Sequence, residues 1–129
     1  MKNTIFYIFV IITALSSCKK SANNTAEVRY QFTSTIEDQY KLEYADNSSI
    51  FLEDVTGTSW SKTLNITLHK EMLNPNVTRL TVYSPSTWAN TSTSANVVLK
   101  IFVNNTLKSS VDTVLNTSNT NGIFTIYTF

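Results

Sequence analysis

The chain has very few of the residues that catalytic and metal sites usually require. It contains one cysteine, Cys18, and one histidine, His69, among 129 residues. A single cysteine excludes an intramolecular disulfide, and with only one histidine a conventional zinc site has too few ligands. A Ser-His-Asp triad lacks support because no Gly-x-Ser-x-Gly turn occurs. We therefore predict a protein that is not an enzyme and holds no metal or cofactor, with His69 at a strand edge facing solvent.

Glycine, proline and net charge are also low. Two glycines and two prolines leave no phosphate loop, dinucleotide fingerprint or EF-hand loop. Ten basic and nine acidic side chains nearly balance. This balance provides neither a basic field for nucleic acid nor an acidic one for cations, so no nucleic-acid partner is predicted.

The main hydrophobic run lies at the N-terminus and is too short to span a bilayer. It covers residues 5–15, about eleven positions, whereas a spanning helix needs roughly twenty. Lys2 precedes the run, and the tetrapeptide Leu-Ser-Ser-Cys that ends at Cys18 follows it. This order is typical of a bacterial lipoprotein signal, so we predict a signal peptide over residues 1–17.

Cys18 is the predicted lipidation site. In the lipoprotein pathway this thiol takes a diacylglyceryl group and the freed amine a further acyl chain, and each buried CH₂ contributes about 0.8 kcal/mol. Two alternatives remain: an incidental thiol behind an ordinary signal peptide, or residues 5–15 as an uncleaved anchor. Residues 18–26 are polar and predict a flexible tether. No aspartate follows Cys18, so the chain lacks the signal that retains lipoproteins of enteric bacteria in the inner membrane. It also lacks an acidic cluster resembling the surface-export signals of Bacteroidota lipoproteins. The absence of both signals favours an outer-membrane anchor facing the periplasm.

Residues 27–129, most of the roughly 110 that remain after cleavage, have the size of one domain and alternate in the manner of β-strands. The pattern predicts an antiparallel two-sheet sandwich of about seven strands with immunoglobulin-like architecture, and a small barrel is the second choice. The turn Asn104-Asn105 predicts a hairpin. The predicted strands cover residues 28–36, 40–44, 50–55, 60–68, 77–84, 95–103, 106–115 and 123–129.

Two tryptophans occupy different sequence contexts. Trp60 shares the parity of the apolar residues in its strand and is predicted to enter the core. Trp88 lies in the irregular segment 85–94, where its ring either plugs an open end of the sandwich or meets a ligand. Trp88 and the nearby Tyr83 are the candidate binding residues.

Two adjacent acidic pairs, Glu37-Asp38 and Glu53-Asp54, fall near predicted strand ends. Brought together they could hold calcium or act as an acid–base pair. Strand neighbours point to opposite faces, however, so ordinary solvated carboxylates are the simpler interpretation.

Thr113 lies in an Asp-Thr-Val triplet that resembles the O-glycosylation motif of Bacteroidota envelope proteins. An unmodified threonine is the alternative. The short motif makes glycosylation a hypothesis only.

Four segments follow one another in a characteristic order: residues 28–35, residues 40–44, the Trp-Ser-Lys-Thr-Leu strand at 60–64, and residues 97–106. This order resembles the extracytoplasmic domain of the mycobacterial MmpS-like family, and similar domains occur among Bacteroidota lipoproteins, which favours that source. The resemblance implies a β-sandwich behind a membrane anchor and an accessory role beside lipid or siderophore exporters. It transfers no catalytic residue. Two family features differ here: the usual anchor is a transmembrane helix, and the usual cysteine pair is absent.

The sequence therefore favours a membrane-tethered, non-enzymatic interaction or accessory module of the envelope, with a protein partner in a transport complex. The alternative is a lipoprotein that binds a small molecule or glycan. A contiguous exposed apolar patch would favour the first hypothesis. A concave pocket lined by Tyr83 and Trp88 would favour the second.

Overall fold

The computed structural model describes residues 24–45, 49–68 and 76–129. Cys18 and His69 lie outside these residues. Within them the all-β class is confirmed, and no helix is long and apolar enough to cross a membrane. The strands are β1 (Asn24–Ala45), β2 (Ile50–Leu68), β3 (Val77–Tyr83), β4 (Ser94–Val103), β5 (Thr106–Asn116) and β6 (Ile123–Thr128), with one 3₁₀ turn at Ser86–Trp88.

β1 and β2 form a long antiparallel hairpin on which the rest of the sheet is built. One edge of β1 pairs with β2 along nearly its whole length. On the other edge, residues 28–34 of β1 pair with β4, and residues 41–45 pair with β3. β5 extends β4 and β6 extends β3. β1 thus belongs both to a first half-sheet with β4 and β5 and to a second half-sheet with β3 and β6.

The predicted break between residues 36 and 40 is wrong, because β1 continues through it. Between the pairs Thr33↔Ser59 and Asp38↔Gly57, four residues of β1 face one residue of β2. Such a bulge bends a strand and increases its twist without ending it. Gly57, with φ +127°, lets β2 follow the bend, so residues 50–55 and 60–68 are likewise one strand.

The bend brings the two half-sheets around one core, and the sheet is nearly closed into a barrel. On the side away from the hairpin, β5 approaches β6, where the hydroxyls of Ser109 and Thr125 form a hydrogen bond of 2.6 Å. The predicted sandwich with immunoglobulin-like architecture is not confirmed, because the six described strands belong to one connected sheet. The architecture is closer to the second choice, a small barrel.

The core follows the alternation of the sequence. Most inward residues of β1 and β4 are buried, and burying each large aliphatic side chain contributes roughly 1.5–3 kcal/mol. Two buried tyrosines keep their hydroxyls satisfied: Tyr30 donates to the carbonyl of Ala45 at 2.8 Å, and Tyr40 donates to the carbonyl of Ile36 at 2.8 Å. The fully buried set includes Val28, Tyr30, Phe32, Tyr40, Leu42, Leu80, Val97, Leu99, Ile101 and Leu115.

The predicted β4–β5 hairpin is confirmed. Asn104 and Asn105 join the strands with φ of 48° and 62°. Asparagine tolerates this left-handed conformation, which matches the turn to the twist of the strands.

Candidate functional site

Trp88 closes one end of the core. Its side chain is 3 % exposed, and its ring meets that of Tyr40 edge-on with the centroids 6.0 Å apart. The indole N–H donates to Asp38 Oδ2 at 2.7 Å. The 3₁₀ turn Ser86–Trp88 follows β3 after only Ser84 and Pro85, and it places the ring inward. Trp88 therefore covers this end of the core like a plug, and its indole N–H, the only polar group of the side chain, has a hydrogen-bond partner.

Asp38 sits at the bulge of β1 and holds this plug. Its Oδ1 accepts the backbone N–H of Gln39 at 2.7 Å, and the Thr87 hydroxyl donates to Oδ2 at 3.3 Å. The hydrogen bond from the Gln39 N–H, followed by that from the Trp88 indole, holds the pKa of Asp38 below its ordinary value. Its neighbour Glu37 is exposed. The first acidic pair is therefore split between a structural carboxylate and a surface one.

Glu53 forms a second carboxylate–indole pair at the β2 edge. Its Oε1 accepts the Trp60 N–H at 3.2 Å, and its Oε2 accepts the Tyr44 hydroxyl at 3.2 Å. Lys62 Nζ lies 3.6 Å from Oε2. The Trp60 hydrogen bond is the largest cause of the lowered pKa of Glu53.

Aromatic rings surround this second pair. The Tyr44 ring stacks on Phe51 with centroids 5.2 Å apart and meets Trp60 at 5.4 Å. Trp60 is half-buried and packs against the core, as predicted from its parity. The cluster covers the core edge and keeps one side open to solvent.

The outer surface formed by β2 and the second half-sheet carries exposed apolar side chains along both of its edges. Ile50 and Leu52 of β2 are 65 % and 64 % exposed, and Phe124 and Ile126 of β6 are 58 % and 49 % exposed. These side chains share the face that points away from the core. We call the surface formed by these four residues and the strands between them the outer face.

The middle of the outer face is polar but neutralised. Arg79 forms an ion pair with Glu43, and the Tyr83 hydroxyl donates to Glu43 Oε2 at 3.1 Å. Desolvation is the main cause that raises the pKa of Tyr83, and the Glu43 hydrogen bond adds to it. The apolar margins therefore flank a centre with no net charge.

A cleft of about 530 Å³ opens at one end of the outer face. Tyr83, one of the two predicted binding residues, lines it, whereas Trp88 does not. Asp54 of the second acidic pair also lines the cleft, together with Lys41 on the neighbouring strand. The structure thus separates Tyr83 from Trp88 and associates it with Asp54, which the sequence analysis had placed in an acidic pair, and with Lys41, which it did not select.

The two acidic pairs do not meet at a cation site. No group of three or more His, Cys, Asp or Glu side chains that could hold a metal occurs in the described part of the chain. Asp38 and Glu53 instead accept hydrogen bonds from the two indoles.

Thr113 lies on the half-buried face of β5. Its exposed neighbours Asp112 and Val114 point the other way, and Leu115, on the same face as Thr113, is fully buried. A modifying enzyme would reach Asp112 and Val114 more easily than the threonine.

The outer face was missed by the sequence analysis, although β6 carries a signal for it. Ile123, Phe124, Ile126 and Tyr127 place large apolar side chains on both faces of one short strand. A strand with one solvent face would alternate apolar and polar residues instead.

Comparison with models of known protein families, with curated proteins and with solved structures found no match to this chain.

Proposed function

We propose that this chain is a membrane-tethered envelope lipoprotein that works as a non-enzymatic interaction module, and that its outer face binds a protein partner. The observation that carries the proposal is the exposure of Ile50, Leu52, Phe124 and Ile126 on a single face. Exposed apolar side chains that share one face of a domain commonly mark interaction sites, and here they form two margins on either side of the Glu43–Arg79 pair.

The chemistry of the outer face indicates what the partner presents. The Glu43 carboxylate is already occupied by Arg79 and Tyr83, so the centre of the face offers no strong charge. An apolar protein surface with few charges suits such a face. The four apolar side chains are between about half and two-thirds exposed. Burying each of them against a partner would contribute about 1–2 kcal/mol to the binding free energy, before the costs of association.

The anchor limits where the partner can be. With lipid on Cys18 and a tether shortened to residues 18–23, because β1 already begins at Asn24, the domain would lie within about 20 Å of the bilayer. The proposed location is the periplasmic side of the outer membrane. The MmpS-like resemblance supports an accessory role in an envelope transport complex, and the proposal includes that role.

The proposal also treats the two half-sheets as the layers of an antiparallel sandwich with immunoglobulin-like architecture. Packing of both half-sheets against one set of inward side chains supports this description. The near closure of the sheet at Ser109 and Thr125 favours the barrel alternative.

Affinity purification of the full chain from native envelope tests the protein partner. We expect a transporter component to be enriched with the wild type and to be lost with L52D and F124D. L107D is the matched control, since Leu107 is 49 % exposed on β5, which pairs with β4 in the first half-sheet. Enrichment of no partner, or equal enrichment with all three variants, would refute the docking role.

Labelling with palmitate tests the anchor separately. We expect the wild type to incorporate the label and to sediment with vesicles, and the C18A variant to do neither. A wild type that takes up no palmitate would remove the tether from the proposal while leaving the outer face to be tested by purification.

A further inference from the structure

We infer that the cleft at the end of the outer face binds a neutral saccharide. This ligand and this site go beyond the protein partner proposed above, and they give the alternative hypothesis of a glycan-binding lipoprotein a specific place in the fold.

Several polar side chains in the cleft have groups that are free to bind a ligand. Lys41 and Asp54 lie opposite each other in the β1–β2 register, yet neither side chain forms an ion pair or hydrogen bond in the described part of the chain. The amide of Gln39 lines the same cleft. Asn119 uses its Oδ1 to accept the Asn116 N–H at 2.7 Å, which leaves its NH₂ group available. The cleft therefore offers donors and acceptors together, as the hydroxyls of a sugar require.

The charges in the cleft argue for a neutral ligand. An anion near Lys41 would also face the Asp54 carboxylate, and a cation near Asp54 would face the ammonium group of Lys41. A ligand charge at that short distance from a side chain of the same sign would be repelled, even near the protein surface. A polyhydroxylated neutral molecule can bind both groups without such repulsion.

The second argument is a fixed aromatic wall. The Tyr83 hydroxyl is held by Glu43 at 3.1 Å, and the ring is half-buried. Pro85 lies beside it in the lining. Aromatic rings present an apolar surface with a polar rim, which suits the C–H face of a sugar ring. Because the Glu43 hydrogen bond already holds the ring, binding a ligand requires little further ordering of the Tyr83 side chain.

Gly122 allows the loop that carries Asn119 to pack against the Tyr83 ring. It has φ +72°, and a Cβ there would lie 2.8 Å from the Val82 carbonyl oxygen and 3.0 Å from Tyr83 Cδ1. Only glycine permits this approach, and its N–H donates to the Asn119 carbonyl at 2.9 Å. The loop after β5 is thereby packed against the ring and brings Asn119 and Thr120 to the cleft.

The size of the cleft is also suitable. Its volume of about 530 Å³ falls within the roughly 300–1,000 Å³ of ligand sites. Most of its lining is polar, whereas sites for apolar small molecules are lined mainly by hydrophobic side chains. An open, polar cleft with one aromatic wall suits a short oligosaccharide.

Saturation-transfer NMR on the full chain tests the inference, with the neutral trisaccharides maltotriose, cellotriose and triacetylchitotriose as probes. We expect at least one trisaccharide to receive magnetisation from the protein and to bind about tenfold more weakly to D54A and to K41A, since each variant removes a hydrogen bond to a charged group. D112A is the control, because Asp112 is an exposed carboxylate on β5 away from the cleft. Unchanged urea midpoints would show that the variants fold.

Two results would overturn the inference. One is no transfer to any of the three probes at millimolar concentration. The other is binding that D54A and K41A leave as strong as D112A does. If D54A loses the sugar but keeps the protein partner, the cleft and the outer face act separately.

Discussion

Trp88 donates its indole N–H to Asp38 and Trp60 donates its own to Glu53, and the two pairs are built from the same chemical groups. The first has a donor–acceptor distance of 2.7 Å and a ring 3 % exposed. In the second pair the donor–acceptor distance is 3.2 Å, the Trp60 ring is half-buried, and Lys62 also contacts the Glu53 carboxylate. One pair closes the end of the core at the bulge, while the other remains accessible at the β2 edge.

The difference shows that burial, not the chemical pairing, decides the role. In the closed pair the indole ring is buried, so losing the partly exposed Asp38 carboxylate would leave the Trp88 N–H less accessible to water than the Trp60 N–H is. In the open pair, water can replace either partner. We therefore expect the closed pair to determine stability and the open pair to tolerate change.

The largest expected effect is that of removing the rings. W88A should cost about 3–5 kcal/mol of unfolding free energy, because it empties a buried site. W60A should cost about 1.5–2.5 kcal/mol, since roughly half as much ring surface leaves water on folding. Urea unfolding checks both values. Equal losses would show that the two sites are buried alike.

Removing the carboxylates should have the next largest effect. D38A should cost about 2 kcal/mol by leaving the Trp88 N–H unpaired, and E53A about 1 kcal/mol. E37A is the control, because Glu37 is the exposed neighbour of Asp38, and it should unfold with the wild-type midpoint. A loss in E37A as large as that in D38A would assign the effect to charge near the bulge instead of to the hydrogen bonds.

Acid should weaken both pairs. The pKa values of Asp38 and Glu53 in the folded protein lie below their ordinary values of 3.8 and 4.5. Each carboxylate therefore stabilises the fold fully above those values and loses its contribution as the pH falls through the lowered folded pKa.

A comparison of urea midpoints from neutral pH to about pH 2 measures this dependence. The gap in stability between the wild type and D38N should be constant above about pH 5 and narrow below about pH 4. A gap that stays constant down to pH 2 would contradict the lowered pKa of Asp38.

The smallest expected effect is spectroscopic. The chain has two tryptophans, so W60F and W88F each leave one. Acrylamide should quench the remaining Trp60 in W88F more strongly than the remaining Trp88 in W60F, since Trp60 is the more exposed. Equal quenching would mean that both rings are equally accessible.

Local patterns in the sequence predicted the strands that depend on local contacts. The β4–β5 hairpin follows from alternation and from Asn104-Asn105, whose backbone preference is a property of the two residues themselves. The continuation of β1 could not be predicted in this way. Residues 36–39 interrupt the alternation, and whether the chain bends or ends there depends on how β2 pairs across the bulge.

The candidate sites show the same limit. The sequence indicated an aromatic role for Tyr83 and Trp88, but the two were separated because the Trp88 N–H meets Asp38, fifty residues earlier in the chain. Lys41 and Asp54 face the cleft only because of the β1–β2 register. No spacing within one strand encodes such a partnership.

β1 contributes hydrogen bonds to both half-sheets and to β2, so it passes through every part of the fold. Neither half can open by itself, because separating β3 or β4 strips the same strand of partners that keep it ordered for the other. Amide hydrogens throughout the domain should therefore exchange through one shared global event, and a protease that gains access to one half would gain access to the whole domain.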